Sequence, residues 1–223
     1  MTKELKKRIL TSLIILPLSI FFILKGGYFL LFFLLSIFFA TNYELFSVFS
    51  KRSTILFLDL ILILSLYSIY YLADHEASLY LLLWVIILVI CSDVGGYVFG
   101  KIFKWKKLTR ISPKKTLSGV LGSFVFSLLS VFITNSILPK TTAAFISTAP
   151  SINFLEPKFF FLAIFLSLVA QTGDLTISYF KRIEKIKDTG KILPGHGGIL
   201  DRIDGLMFVV IVTFILIQIN IIP

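Results

Sequence analysis

Charged residues and glycines are concentrated between residues 181 and 205, in a chain that is otherwise rich in apolar residues. The segment is KRIEKIKDTGKILPGHGGILDRIDG, with six basic residues, four acidic residues and five glycines. Carboxylates supply the oxygen ligands that Mg²⁺ prefers, basic side chains bind anions, and glycines let backbone N–H groups face a phosphate. The segment therefore indicates a site for Mg²⁺ and a polyphosphate.

The candidate metal-binding carboxylates lie in this segment and shortly before it. Asp201 and Asp204 are three residues apart, so on a helix they share a face. Mg²⁺ usually takes only one or two carboxylates from a protein, so a small set is sufficient. The candidates are Asp174, Asp188, Asp201 and Asp204.

A second basic segment occupies residues 101–119. Its SPKKT sequence, residues 112–116, places hydroxyl groups beside two lysines, which suits the binding of a phosphate-bearing ligand. The alternative is a loop that binds anionic lipid head groups, and the segment by itself favours that alternative. No Walker A sequence occurs in the chain, so a P-loop nucleotide site is excluded.

The elements that must position these groups are membrane helices. Hydrophobic residues make up 57% of the 223 residues, the mean hydropathy is +0.96, and apolar runs of about 20 residues recur. Each such run can cross a bilayer core roughly 30 Å thick. We predict an all-α polytopic membrane protein with about seven transmembrane helices. The predicted spans are roughly 9–24, 28–50, 54–73, 79–100, 117–138, 158–179 and 205–222.

The distribution of basic residues predicts how the chain is oriented. Of its 22 lysines and arginines, 19 fall in the N-terminal segment and in alternate loops, which leaves only Lys25, Lys140 and Lys158 for the other side. Basic loops stay in the cytoplasm, so a cytoplasmic N-terminus and cytoplasmic loops 101–116 and 180–204 are predicted. The first span resembles a signal peptide, but no small-residue cleavage site follows it, and we expect it to be uncleaved.

Two further classes of ligand are not expected. The net charge of +10 is explained by the cytoplasmic loops and anionic head groups, so no nucleic-acid partner is predicted. The chain has one cysteine, and His75 and His196 are predicted on opposite sides of the membrane, which argues against zinc.

Two acidic residues in the N-terminal spans, Glu44 and Asp59, need an explanation, because a carboxylate inside a bilayer costs at least a few kcal/mol. Both lie near a predicted cytoplasmic end. The favoured interpretation is that they reach the interface or pair with Lys51 and Arg52.

Two more intramembrane acids, Asp93 and Asp174, adjoin glycines and lie near the basic loops. A functional role is favoured for Asp174, whereas for Asp93 pairing with a basic residue for folding is an equally good explanation. The GGYVFG sequence beside Asp93 also contains a small-xxx-small spacing, for which close helix packing is the simplest interpretation.

Residues 178–204 resemble the signature of the phosphatidate cytidylyltransferase, or CDP-diacylglycerol synthase, family. The signature combines a serine, Lys-Arg, Lys-Asp, a turn bounded by proline or glycine, His-Gly-Gly and Asp-Arg-x-Asp. These elements fall on Ser178, Lys181, Arg182, Lys187, Asp188, Gly190, Pro194, His196, Gly197, Gly198, Asp201, Arg202 and Asp204. QTGDL, SPKKT and the stretch around Asp93 are also similar to family elements, so the resemblance covers about residues 90–206.

The resemblance implies an enzyme that converts CTP and phosphatidate into CDP-diacylglycerol and pyrophosphate in phospholipid biosynthesis. It also implies a homodimer in the cell's inner (plasma) membrane, a cavity open to the cytoplasm, Mg²⁺ and a second cation such as K⁺. Family members often have additional N-terminal spans, which would raise the number to as many as nine. Residues 1–90 would form N-terminal transmembrane helices and residues 91–223 a catalytic transmembrane domain.

Residue roles follow from the positions that match the family. The implied metal ligands are Asp174 and Asp201, to which we add Asp204. The expected catalytic residues are Asp174, Asp201, Lys181, Arg182, His196 and Arg202. The expected substrate-binding residues are Ser112, Lys114, Lys115, Thr116, Ser178, Lys187, Asp188, Gly197 and Gly198. His196 would either contact the triphosphate or protonate the leaving pyrophosphate, and Asp188 or Asp204 would bind a second cation or orient the other ligands.

Other functions fit the pattern less well. The Asp-Gly and Ala-Arg pattern of CDP-alcohol phosphotransferases is absent, since Asp204-Gly205 is followed by an apolar span. A CTP-dependent lipid kinase would need a base for its hydroxyl nucleophile and would release CDP. A transporter would be expected to show repeat symmetry, whereas no internal repeat is evident and the charges crowd one side.

Overall fold

The structure is a computed structural model, and it describes residues 3–109, 111–112, 115–142, 152–190, 192–195 and 197–222. Seven α-helices contain most of these residues, and no extended β-strand occurs among them. The helices are α1 (Lys3–Lys25), α2 (Gly27–Val48), α3 (Arg52–Asp74), α4 (Glu76–Phe103), α5 (Leu117–Thr142), α6 (Pro157–Ile183) and α7 (Leu200–Gln218).

Each predicted span coincides with one of these helices, which confirms an all-α polytopic membrane protein. Helices α2 to α6 are long and apolar enough to cross a membrane by length and composition. The apolar part of α1 is shorter, Leu13–Lys25. Helix α7 has Asp201, Arg202 and Asp204 within its first two turns, so its apolar portion begins only after the polar cluster.

Two groups of buried apolar residues hold the helices together. One surrounds Trp84 of α4, which packs against the ring of Phe159 at the start of α6, with ring centroids 5.3 Å apart. The other joins α2, α3, α6 and α7 around Leu45, Leu58 and Ile177. The second group includes residues of α6 and α7 that flank the polar segment 181–205. It therefore supports the end of α6 and the beginning of α7, which carry many of the charged residues.

Helices α4 and α5 approach each other closely through glycines. A Cβ atom at Gly95 would overlap the carbonyl oxygen of Gly122, and one at Gly122 would overlap that of Gly95. One turn away, a Cβ at Gly119 would lie 2.9 Å from the carbonyl oxygen of Gly96. The close packing predicted for the GGYVFG sequence is confirmed. Thr116, the residue before α5, lies at the same contact, because a Cβ at Gly100 would lie 3.1 Å from its hydroxyl.

A Gly95→Ala substitution is expected to destabilise the protein by about 1–3 kcal/mol, as overpacking of a tight contact generally does. The added methyl group has to push α5 away, because its nearest neighbours are backbone and the Phe126 ring. Thermal unfolding in detergent measures the effect. Val94→Leu is the matched control, since that neighbouring side chain is 46% exposed and can grow into lipid. Equal unfolding temperatures for Gly95→Ala and the wild type would contradict the contact.

The acidic residues of the N-terminal helices were predicted to reach the interface or to pair with Lys51 and Arg52, and the structure shows no such ion pair among the described residues. Glu44 is buried and accepts hydrogen bonds from the residues that begin α7. Oδ1 of Asp59 is buried and has no hydrogen-bond partner in the described part of the chain. The α2–α3 connection contacts Glu184 instead: the Ser50 hydroxyl donates to its carboxylate at 2.8 Å, and this bond, with a second from the Lys51 N–H, holds the pKa of Glu184 below its ordinary value.

Candidate active site

A cavity of about 420 Å³ lies where α4, α5, α6 and α7 present their polar residues. Helix α4 contributes Asp93, α6 contributes Asp174 and Lys181, and the start of α7 contributes the Asp-Arg-x-Asp residues. The charged residues that line the cavity are Asp93, Lys115, Asp174, Lys181, Asp188, Asp201, Arg202 and Asp204. Residues separated by more than 100 positions thus form one site, with five carboxylates opposed by three cations.

Asp174 is the more accessible of the two carboxylates proposed as metal ligands, with its side chain 34% exposed. Its Oδ2 atom lies 2.5 Å from Lys115 Nζ, and its Oδ1 atom accepts a hydrogen bond from the Ser178 hydroxyl at 3.3 Å. Asp204 and Asp93 also line the cavity and lie close enough to Asp174 to influence it electrostatically. Asp174 therefore pairs with Lys115 while it still faces the cavity.

The side chain of Asp201 is more buried than that of Asp174 and accepts more hydrogen bonds. Its side chain is 8% exposed, and its Oδ1 atom accepts a hydrogen bond from Lys181 Nζ at 2.7 Å. Its Oδ2 atom accepts two backbone N–H bonds, from Thr189 at 2.8 Å and from Gly198 at 3.3 Å. A buried ion pair is tolerated when hydrogen bonds satisfy its remaining polar atoms, as they do here. Asp201 therefore organises the loop in addition to lining the cavity.

Gly197 and Gly198 were predicted to direct their N–H groups toward a phosphate, but in the structure both N–H groups donate to atoms of the protein. The Gly197 N–H donates to the Leu193 carbonyl at 3.1 Å, and the Gly198 N–H donates to Asp201. Gly197 has a φ of +90°, which favours glycine because other residues rarely adopt it. Glycine at this position thus serves the turn, and neither residue lines the cavity.

The sequence matches a known family. Residues 48–220 match the model of the cytidylyltransferase family. The chain belongs to the cytidylyltransferase family. It is 38% identical over 151 residues to a phosphatidate cytidylyltransferase of Staphylococcus haemolyticus, covering 67% of this chain and 54% of that protein. It is 41% identical over 128 residues to a phosphatidate cytidylyltransferase of Helicobacter pylori, covering 57% and 43%. The chain thus spans about half the length of the curated relatives it matches.

Several of the predicted site residues lie at the cavity, and others do not. Lys115, Thr116 and Asp188 line it, and Ser178 reaches it through Asp174. Ser112 and Lys187 do not line it. Lys114 and His196 lie outside the described residues, so their roles stay predictions.

Arg182, predicted as a catalytic residue, does not line the cavity, and its role stays a prediction. Its side chain is exposed, and its guanidinium donates to the carbonyl oxygens of Ile111, at 3.2 Å, and Ile186, at 3.0 Å. Arg182 follows Lys181 on α6, and adjacent helical residues point about 100° apart. Lys181 therefore turns to Asp201, whereas Arg182 connects two loops of the protein.

Three cavity-lining polar residues, Tyr97, Ser123 and Gln171, were not predicted as site residues. Tyr97 is four residues after Asp93, so helical periodicity places both on one face of α4 and could have revealed it. Ser123 carries no comparable signal. Its hydroxyl donates to the Ser92 carbonyl at 2.8 Å, a contact that only the α4–α5 packing creates.

The donor chemistry of the cavity fits Mg²⁺. Among the described residues there is no group of three or more His, Cys, Asp or Glu side chains able to hold a metal ion by themselves. Mg²⁺ does not need one, because it usually takes one or two protein carboxylates together with substrate phosphates and water. Asp174 is the best placed of the candidates, because it is partly exposed and adjoins Asp204.

Replacing Arg182 with alanine is expected to destabilise the protein by about 1 kcal/mol, the typical net value of lost hydrogen bonds, and to leave the KM for CTP, the substrate that the family resemblance implies, close to that of the wild type. Arg182→Lys separates the two possible roles. A phosphate clamp would be largely retained by lysine's charge, whereas the two carbonyl contacts need the guanidinium fork. A large rise in KM for alanine that lysine rescues would contradict the position described above.

Proposed function

We propose that this member of the cytidylyltransferase family makes CDP-diacylglycerol and pyrophosphate from CTP and phosphatidate. The observation that carries the proposal is the cavity, in which Lys115, Lys181 and Arg202 accompany five carboxylates at the ends of apolar helices. A water-soluble nucleotide and a membrane lipid can meet at such a position. The relatives named phosphatidate cytidylyltransferase support the same reaction.

In the proposed reaction a phosphatidate oxygen forms a bond to the α-phosphorus of CTP. The bond from that phosphorus to the oxygen that bridges it to the β-phosphorus breaks, and pyrophosphate leaves. The second pKa of a phosphate monoester is about 6, so phosphatidate is largely dianionic near neutral pH and needs no strong general base. The main barrier is the approach of two anions, and neutralising charge while aligning the reactants is what such sites contribute.

The chain's own residues are suited to that task. Lys115 and Lys181 can bind phosphate oxygens, and Arg202 adds a guanidinium that can contact two oxygens at once. Asp174, with Asp201 or Asp204, would bind Mg²⁺, which supplies positive charge to the phosphate groups. A second cation such as K⁺, bound by Asp188 or Asp204, is part of the same proposal.

The proposed setting is the cell's inner (plasma) membrane, with the cavity open to the cytoplasm. The asymmetric distribution of lysines and arginines supports this orientation, because basic loops are retained in the cytoplasm. The proposed homodimer rests on the resemblance to the family. The division at residue 90 also stays a prediction, although every residue lining the cavity lies beyond it.

A product assay tests the proposal. The purified chain, in detergent with CTP labelled on its α-phosphate, is given phosphatidate with and without Mg²⁺. Mg²⁺-dependent transfer of the label to lipid, with release of one pyrophosphate per lipid product, is the expected result. Release of labelled CDP with phosphorylation of an added polyprenol would instead identify a lipid kinase. Folded protein that does not consume CTP would overturn the proposal.

A further inference from the structure

Glu44 is a buried carboxylate that the proposed reaction does not use. It lies on α2, four residues before the family match begins, and it is 1% exposed. It does not line the cavity. Burying a carboxylate in an apolar region is costly unless hydrogen bonds compensate for lost water, so its partners should explain its presence.

The partners of Glu44 are the beginning of α7 and the loop before it. Its Oε1 atom accepts the Ile199 N–H at 2.9 Å, and its Oε2 atom accepts the Leu200 N–H at 3.1 Å. Its Oε2 atom also accepts the Thr189 hydroxyl at 3.4 Å. The first N–H groups of a helix have no partner within it and carry partial positive charge, so a carboxylate there is well stabilised.

Two glycines of the signature make room for this carboxylate. A Cβ at Gly190 or Gly198 would lie 2.7 Å from an oxygen of Glu44. Their lack of a side chain therefore admits Glu44 to the loop. The same contacts occupy the N–H groups at the start of α7, which would otherwise be available to a phosphate.

Thr189 links Glu44 to the site. Its hydroxyl donates to Glu44, and its backbone N–H donates to Asp201 at 2.8 Å. Gly198, which lies against Glu44, donates its N–H to the same oxygen of Asp201. Two carboxylates thus hold one loop from opposite sides, Glu44 from α2 and Asp201 from α7. We propose that Glu44 is a positioning residue that fixes Thr189, Gly190 and residues 198–200 so that Asp201 and Lys181 face the cavity correctly.

This proposal rests on the proposed function for its effect on rate, but its effect on the loop can be measured separately. Glutamine at position 44 keeps the shape and places an NH₂ group against an N–H donor, which weakens the contact. In Glu44→Gln, amide exchange across residues 189–202 should become about tenfold faster, because a hydrogen bond to a charged group is lost. The kcat per folded molecule should fall about 10- to 100-fold, as when an outer partner of a metal ligand is removed.

Two further variants make the experiment decisive. Ser47→Ala, on the same helix, removes an exposed hydroxyl that contacts only the backbone carbonyl of Glu44, and should match the wild type in both measurements. Thr189→Val removes one hydroxyl from a fully buried site and should cause a smaller change in the same direction, which provides a result if Glu44→Gln does not fold.

The outcomes distinguish the possibilities. Wild-type exchange and wild-type kcat in Glu44→Gln would overturn the proposal. A lower kcat with unchanged exchange would also overturn it, because Glu44 would then act by another route. A lower yield of folded protein, with normal kcat per folded molecule, would reduce Glu44 to a structural role. If the wild type itself does not convert CTP, the proposed function fails, and amide exchange alone decides whether Glu44 holds the loop.

Discussion

An Asp174→Asn variant is expected to lose about 100- to 1,000-fold in CDP-diacylglycerol formation, the typical cost of removing one group that stabilises developing charge. Asparagine keeps the size of the side chain and one oxygen, but it lacks the negative charge that would hold Mg²⁺ and that pairs with Lys115 at 2.5 Å. The fold should survive, because both partners are partly exposed, 34% and 23%, and such pairs contribute little to stability.

The measurement is the initial rate at saturating CTP and phosphatidate over a range of Mg²⁺ concentrations, alongside thermal unfolding. Asp59→Asn is the matched control, because Asp59 is another carboxylate in an apolar helix but does not line the cavity. It should retain full activity. Loss of activity in both variants, or in neither, would remove the basis for placing the metal at Asp174.

An Asp201→Asn variant is expected to lose activity to a similar degree and, unlike Asp174→Asn, to unfold more readily. Either orientation of the amide places its NH₂ group against a donor, Lys181 on one side or the Thr189 and Gly198 N–H groups on the other. The variant also leaves Lys181 charged and 9% exposed without its partner. Breaking a buried ion pair in this way costs about 3–5 kcal/mol.

A double variant separates the two effects. Lys181→Met combined with Asp201→Asn removes both charges, so part of the stability should return, since a buried pair can be replaced by apolar groups at little cost. Activity should not return, because neither phosphate contact nor metal ligand is restored. Thermal unfolding and the product assay on all four proteins form a double-mutant cycle. If the double variant loses as much stability as the two single variants together, the ion pair between Lys181 and Asp201 does not stabilise the fold.

Asp174 and Asp201 therefore differ in a way that the family signature does not reveal. The resemblance to the family implies that both are metal ligands, yet the side chain of Asp174 is partly open to the cavity, whereas Asp201 accepts hydrogen bonds from three donors. Comparing the stability of the two variants tests this difference directly, whatever the size of the loss in activity.

The sequence alone determined the helices and the location of the site. Apolar runs of about 20 residues must satisfy their backbone hydrogen bonds internally in lipid, so each of them forms a helix. A charged side chain is costly in such an environment, so its presence there indicates a functional role. This is why Asp174 and residues 181–205 could be identified as a candidate site. The fixed spacings of the signature were sufficient to identify the family.

Tertiary structure alone decided which side chains meet. Lys181 and Arg182 are neighbours in sequence, and only the direction of α6 relative to α7 sends one to Asp201 and the other to loop carbonyls. Glu44 has basic residues nearby in sequence, yet it binds Leu200, 156 positions away. A buried carboxylate accepts hydrogen bonds from unsatisfied donors that the packed helices bring within reach. The N–H groups at the start of α7 reach Glu44 only when α7 has formed and packs beside α2.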